Sequence, residues 1–199
     1  MIAENYFFGP ILFKIKIEDV DLEKVKLLLH QDENKNMRKD LAGAFKTEYK
    51  LDNVDFQNVM EKYYEAFRHG YYQFYGEGCQ KLKTKSVWVN YMRKGDFNPP
   101  HVHRGCDLAS VLFIKSPNEL KNELKEYYSY AFSSGGNGPG CLCFFYGADT
   151  SDNQVLKSFE PSAGDFFVFP HWLQHWVNPF KCEGERITVA ANLIYNKTI

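Results

Sequence analysis

Four of the six histidines in this 199-residue chain fall in two tight groups, Pro99-Pro100-His101-Val102-His103 and Phe169-Pro170-His171-Trp172-Leu173-Gln174-His175. Imidazole binds divalent transition metals through either ring nitrogen. In an extended segment residues i and i+2 point to the same side, so His101 and His103 can face one barrel interior together. His175, from a distant strand, would complete one face of an octahedron. The other face would stay open to substrates or oxygen, as a catalytic metal requires and a closed structural site does not allow. Two readings compete with this one. Histidines beside prolines can sit in loops and make ordinary hydrogen bonds, and His103 can face away, leaving its place to water or another residue.

Downstream of His175, the run Trp176-Val177-Asn178-Pro179-Phe180 leads through a Gly-containing turn to Arg186-Ile187-Thr188. An arginine that opens a buried strand needs an anionic partner, because an unpaired buried charge is very costly. Its planar fork matches a carboxylate in bidentate fashion. Thr188 shares the face of Arg186 and offers a hydroxyl donor to the same carboxylate. Trp88 reads as core, His171 as a residue behind or beside the site, and His30 and His69 as surface positions. Arg93, Lys94 and Arg104 flank the first histidine group; they are solvated by default and could draw an acidic substrate to the mouth.

These residues must be positioned by secondary structure, and the patterns divide the chain near Lys85. Before it, Ile11, Phe13, Ile15 and Ile17 alternate with Leu12, Lys14 and Lys16 as in a half-buried strand, and Asp19 or Asp21 could then cap a helix. Val20–His30 and Asn53–Gly76 carry apolar residues at helical spacing, so residues 1–84 read as mostly helical. The wide aromatic stripe of the second helix suits packing against a sheet. After Lys85, short runs rich in β-branched and aromatic residues follow one another: SVWVNYM, LASVLFIK, CLCFFYGA, FFVFP and RITVAANLIY. Closely spaced short strands point to a sandwich or barrel. Residues 118–140 interrupt them with a helical pattern and a Gly-rich tail, either a mobile cover for the site or a plain surface excursion.

Composition sets outer bounds. With 44% hydrophobic, 17% aromatic and 25% charged residues, the chain reads as one globular domain over residues 1–199. A net charge of -1 offers no field for nucleic acid or anionic lipid, and no stretch approaches transmembrane length. The N-terminal run lacks the features of a signal peptide. Five scattered cysteines suit free thiols in a reducing compartment, hence a cytoplasmic protein, and Cys141-Leu142-Cys143 reads as buried strand residues.

From Trp88 to Asn192 the chain resembles the 2-oxoglutarate and Fe(II)-dependent oxygenase superfamily, in particular the small oxygenases of bacteria and phages near the prolyl-hydroxylase branch. The resemblance rests on ordered motifs: Trp88-x-Asn90, Gly95 ahead of His101, the HxH itself, Ala109-Ser110 before a strand, and Gly164-Asp165 leading to FPHWLQHWVNPF and Arg186-Ile187-Thr188. It implies an α+β fold, a double-stranded β-helix (jelly-roll, cupin-like) core over residues 85–199 with N-terminal helices packed outside. It also implies Fe(II) on His101 and His175 and an Arg186 that binds the far carboxylate of 2-oxoglutarate. Position 103 holds His where the superfamily has Asp or Glu, and His103 is the expected third ligand. Asn90 either hydrogen-bonds 2-oxoglutarate or is a satisfied strand-edge residue.

The implied reaction consumes O2 and 2-oxoglutarate, releases succinate and carbon dioxide, and hydroxylates a small molecule or a protein side chain. Alternatives are a cupin-like metal-dependent isomerase or hydrolase, and a non-catalytic metal-binding jelly roll. Specificity is expected in the loops at 35–52 and 119–140, and the protein is expected as a monomer or homodimer.

Overall fold

The computed structural model describes residues 3–7, 9–29, 36, 42–44, 47–130, 137–148 and 155–195. In order these form β1 (Ala3–Phe7), β2 (Ile11–Lys16), α1 (Asp19–Leu27), β3 (Glu48–Lys50), α2 (Asn53–Tyr75), β4 (Leu82–Met92), β5 (Asn98–His101) and β6 (Leu108–Lys115). They continue as α3 (Leu120–Tyr130), β7 (Leu142–Phe145), β8 (Leu156–Phe159), β9 (Asp165–Pro170), β10 (Gln174–Val177) and β11 (Arg186–Tyr195).

Two antiparallel sheets face each other. The larger has seven strands in the order β1-β2-β9-β6-β11-β4-β3, the smaller four in the order β5-β10-β7-β8. From β4 onward the chain alternates between them, one strand or a consecutive pair at a time, which is the winding of a double-stranded β-helix. Three strands that precede Leu82 extend the larger sheet: the β1–β2 hairpin joins it through β9, and β3 joins through β4. The helical patterns of residues 1–84 correspond to α1 and α2, with β1 and β3 beside them as strands too short or too irregular to register as a period.

α2 shows how the outer layer is held. The Asp52 carboxylate accepts from the Val54 and Asp55 amides at its N-terminus, and Gly76 ends it in the left-handed conformation, where a side chain would be strained. Phe56, Met60, Tyr63, Tyr64 and Phe67 form its buried stripe and pack with Val87, Val89, Ile187, Val189 and Leu193 of the large sheet. α1 differs from the expected start. Neither Asp19 nor Asp21 is its N-cap; that position is Glu18, whose amide donates to the Tyr63 hydroxyl of α2. Asp21 lies in the first turn with its carboxylate turned inward, where Tyr63, Lys24 and Lys62 reach it.

A second apolar cluster fills the barrel between the sheets, from Phe113, Phe144, Phe167 and Phe169 to Leu120 and Leu124 of α3. Cys141 and Cys143 are buried on this side, and all five cysteines are free. Within the expected insertion 118–140, α3 accounts for the helical pattern; residues 131–136, like His30 and most of the 35–46 stretch, lie outside the described residues. His69 is exposed. No helix among the described residues is long and apolar enough to cross a membrane.

Candidate functional site

The short strands β5 and β10 bring the two histidine groups together. They pair antiparallel with His101 directly opposite His175, and His103 follows two residues beyond β5. Ring centroids are 4.2 Å apart for His101 and His175, 5.4 Å for His101 and His103, and 5.1 Å for His103 and His175. One potential ligand atom from each lies within 4.8 Å of the others.

Hydrogen bonds fix the tautomers. His101 Nδ1 is 2.7 Å from the Pro99 carbonyl, His175 Nδ1 is 2.9 Å from the Leu173 carbonyl, and His103 Nδ1 is 2.6 Å from Asn192 Oδ1. Each partner is an oxygen that only accepts, so each ring carries its proton on Nδ1 and presents a lone pair at Nε2. Burial, followed by the neighbouring His101, pushes His103 down to about 4, and burial lowers His101 and His175 as well. Neutral rings are the metal-binding form.

Two of these lone pairs meet: His103 Nε2 and His175 Nε2 are 3.2 Å apart. Two acceptors at that distance repel unless a cation lies between or beside them. Nitrogens about 2.1 Å from a shared ion and at right angles around it are separated by roughly 3 Å. The donor set therefore fits a divalent metal held by three imidazoles. Trp88 stacks on His103 with ring centroids 5.9 Å apart, and Phe169 packs edge-on to His175 at 4.7 Å, so two of the rings are held by their neighbours. His171 is not among the converging rings. Its Nδ1 donates to the His103 carbonyl, while its own carbonyl accepts from the His103 amide.

Arg186 opens β11 on the same side of the large sheet and is 1% exposed. Its Nε donates to the Gly140 carbonyl, its guanidinium lies 4.7 Å over the Phe113 ring, and Nη2 is buried without a hydrogen-bond partner. Gly140 stands at φ 69°, and a Cβ there would come within 2.9 Å of Leu120, so glycine is what allows the turn that presents this carbonyl. Burial draws Arg186 down to about 10, which still leaves it charged at neutral pH. Cys141 and Cys143 are nearby, but burial pushes their thiols up to about 11 and about 12, so neither supplies an anion. No carboxylate pairs with Arg186 among the described residues.

Thr188 lies opposite Asn90 in the β11–β4 ladder, and the Asn90 amide lies 3.4 Å from the Thr188 hydroxyl. Both are buried, and Asn90 Oδ1 has no partner. Amide oxygen and nitrogen are interchangeable by rotation. Turned over, Asn90 would accept from Thr188 and direct an N–H into the cavity.

One cavity is lined by all three histidines together with Arg186, Thr188 and Asn90. A second, of about 310 Å³, reaches His101 and His103 as well, past Asn98, Arg104 and Asn192. The larger cavity of about 910 Å³ between α3 and residues 178–182 holds none of these side chains. Arg93 and Lys94 are engaged by Glu185 and Glu183 at the surface, which leaves Arg104 to line the mouth.

Trp88, expected as plain core, is buried but forms a wall of the site. Asn192 and Asn98 carried no signal of their own. The two-residue period from Arg186 through Thr188 and Ala190 does reach Asn192, so strand alternation alone could have marked it.

Residues 86–192 match the family described as "Putative 2OG-Fe(II) oxygenase". No curated protein sequence matches the chain. Among solved structures, a prolyl-4-hydroxylase from Pseudomonas putida aligns over 95% of this chain and 95% of its own, with 15% identity and a TM-score of 0.54. A viral collagen prolyl hydroxylase from Paramecium bursaria Chlorella virus-1, in complex with 2OG, aligns over 93% and 96%, with 15% identity and a TM-score of 0.55. An oxidoreductase of the 2OG-Fe(II) oxygenase family from Burkholderia pseudomallei aligns over 91% and 84%, with 12% identity and a TM-score of 0.53. At these identities the likeness is one of fold.

Proposed function

The chain belongs to the 2-oxoglutarate and Fe(II)-dependent oxygenase family, and from that premise we propose that His101, His103 and His175 hold Fe(II) while Arg186, Thr188 and Asn90 hold 2-oxoglutarate. One observation carries the reading: a buried guanidinium with an unsatisfied N–H shares a cavity with three imidazoles that present lone pairs. A dicarboxylate cosubstrate reconciles the two, since one end reaches the metal and the other satisfies the arginine.

When bound, Fe(II) supplies the redox chemistry by which O2 and 2-oxoglutarate oxidise the substrate, with release of succinate and carbon dioxide. The protein's part is orientation. Arg186 donates to the far carboxylate of the cosubstrate, joined either by the Thr188 hydroxyl or, with Asn90 turned to accept that hydroxyl, by the Asn90 N–H. The apolar walls at Met92, Leu142 and Val177 exclude water from around it. A small molecule or a protein side chain reaches His101 and His103 through the second cavity, where Asn98 and Arg104 meet it. Hydroxylation is the expected outcome. A cupin-like isomerase or hydrolase could use the same three histidines, but it gives no account of Arg186.

The test is an anaerobic titration of the full chain with Fe(II), with and without 2-oxoglutarate, followed by visible absorption. A metal-to-ligand charge-transfer band should appear with both present and be missing when succinate, which lacks the keto group, replaces 2-oxoglutarate. No band at saturating Fe(II) and 2-oxoglutarate would refute the proposal.

A further inference from the structure

The three histidines are not held alike. His101 and His175 each donate Nδ1–H to the carbonyl two residues earlier in their own segment, Pro99 and Leu173. That device is local and follows from the backbone path of β5 and β10. His103 has no such carbonyl. Its Nδ1–H goes to a side chain remote in sequence, Oδ1 of Asn192 on β11, at 2.6 Å.

We propose that Asn192 is the positioning residue that makes His103 a metal ligand, by holding its proton on Nδ1 and its Nε2 toward the other two rings; the inference rests on the metal reading above. Trp88 stacks on the His103 ring at an interplanar angle of 27° and sets its plane. Stacking does not distinguish the ring from its half-turn rotamer, nor one tautomer from the other. A hydrogen-bond acceptor at Nδ1 distinguishes both. The Asn192 amide is itself oriented, because Cys106 Sγ lies 3.5 Å from the same Oδ1 as a second donor.

β11 explains why the acceptor stands there. Arg186, Thr188 and Ala190 alternate along it and line the metal cavity, and Asn192, next in the same period, lines the adjoining one. The pairing with β4 shifts register between Asn192 and Leu193, an irregularity of the kind that re-aims a side chain. One strand face thus runs from the group that would hold the cosubstrate to the group that would orient the third ligand. An amide also suits either occupant of position 103. Its oxygen serves an imidazole, and turned over, its nitrogen would serve a carboxylate.

The test uses the full chain and substitutions at Asn192 and His103. In metal-free protein, ¹⁵N-resolved imidazole spectra should show His103 as the Nδ1–H tautomer in the parent and in Asn192→Asp, but not in Asn192→Leu. Calorimetric titration with Mn(II) should show Asn192→Leu weakened roughly 10- to 100-fold, as for other residues behind a metal ligand, and Asn192→Asp binding at least as well as the parent. In a His103→Ala background, Asn192→Leu should cause no further loss. Asn192→Ala, which removes the acceptor without added bulk, replaces Asn192→Leu if the latter fails to fold. Parent-like Mn(II) affinity in the variant lacking the acceptor, or an equal loss with and without His103, would overturn the inference while leaving the metal site standing. Failure of the parent chain to bind Mn(II) would overturn the metal reading and this inference with it.

Discussion

On the two sides of the large sheet, two buried charges, Asp21 and Arg186, are treated in opposite ways. On the helix side, β11 contributes Ile187, Val189, Ala191 and Leu193 to a continuous apolar cluster. The buried carboxylate there, Asp21, receives Lys24, Lys62 and the Tyr63 hydroxyl. On the barrel side the same strand presents Arg186, Thr188, Ala190 and Asn192, and Arg186 and Asn90 each keep a buried polar atom without a partner. Around Asp21 the buried charge is met within the fold; around Arg186 and Asn90, buried donors and acceptors are left without partners. The difference separates what stabilises this protein from what it would do.

The largest effect that tests the contrast lies on the helix side. Phe56, fully buried in α2, should cost about 3–5 kcal/mol of unfolding free energy when changed to Ala, measured by urea denaturation. The Mn(II) affinity of the folded variant should match the parent. A loss below about 1 kcal/mol would mean the helix face does not carry the stability assigned to it.

Arg186→Met should act in the opposite sense. Removing a buried charge that lacks an anion should leave the cosubstrate-free protein at least as stable as the parent, with a gain of about 1 kcal/mol or more. Its affinity for 2-oxoglutarate in the presence of Mn(II) should fall on the order of 10- to 100-fold, the worth of a charge-assisted pair. A lower melting temperature combined with unchanged 2-oxoglutarate affinity would make Arg186 a structural residue and erase the contrast.

The smallest effect concerns Asp21. Burial would raise its pKa, but the bonds from Lys24, Lys62 and Tyr63 prevail and hold it at about 2. A folded value below the unfolded one contributes stability that is fully present above the unfolded pKa and is lost as pH falls through the folded value. The window is therefore from about pH 4 down to about pH 2, and its worth, allowing for the solvent around both lysines, is about 1–2 kcal/mol. Asp21→Asn should be less stable than the parent at pH 6, with the gap closing across that window. A constant gap from pH 6 to 2 would show that the carboxylate's charge is not what ties α1 to α2.

The sequence by itself determined the local parts of this protein. Alternation from Arg186 to Tyr195 and the aromatic stripe of α2 are periodic over many residues, and period is a property of the chain before it folds. The two histidine groups were legible for the same reason: i and i+2 in extended backbone share a side wherever the strand lies. What spans distant segments was decided only by the tertiary structure. β5, β8 and β10 are four residues each, and Asn98-Pro99-Pro100-His101 has no strand propensity of its own. It is a strand because β10 pairs with it, and that pairing sets His101 opposite His175. Asn192 reads as one more polar residue near the end of a strand until the fold brings it 2.6 Å from His103. The unmet N–H of Arg186 is likewise a statement about every atom around it. Propensity and period act over a few neighbours along the chain, whereas ligand geometry and unsatisfied polar groups depend on contacts between segments that meet only on folding.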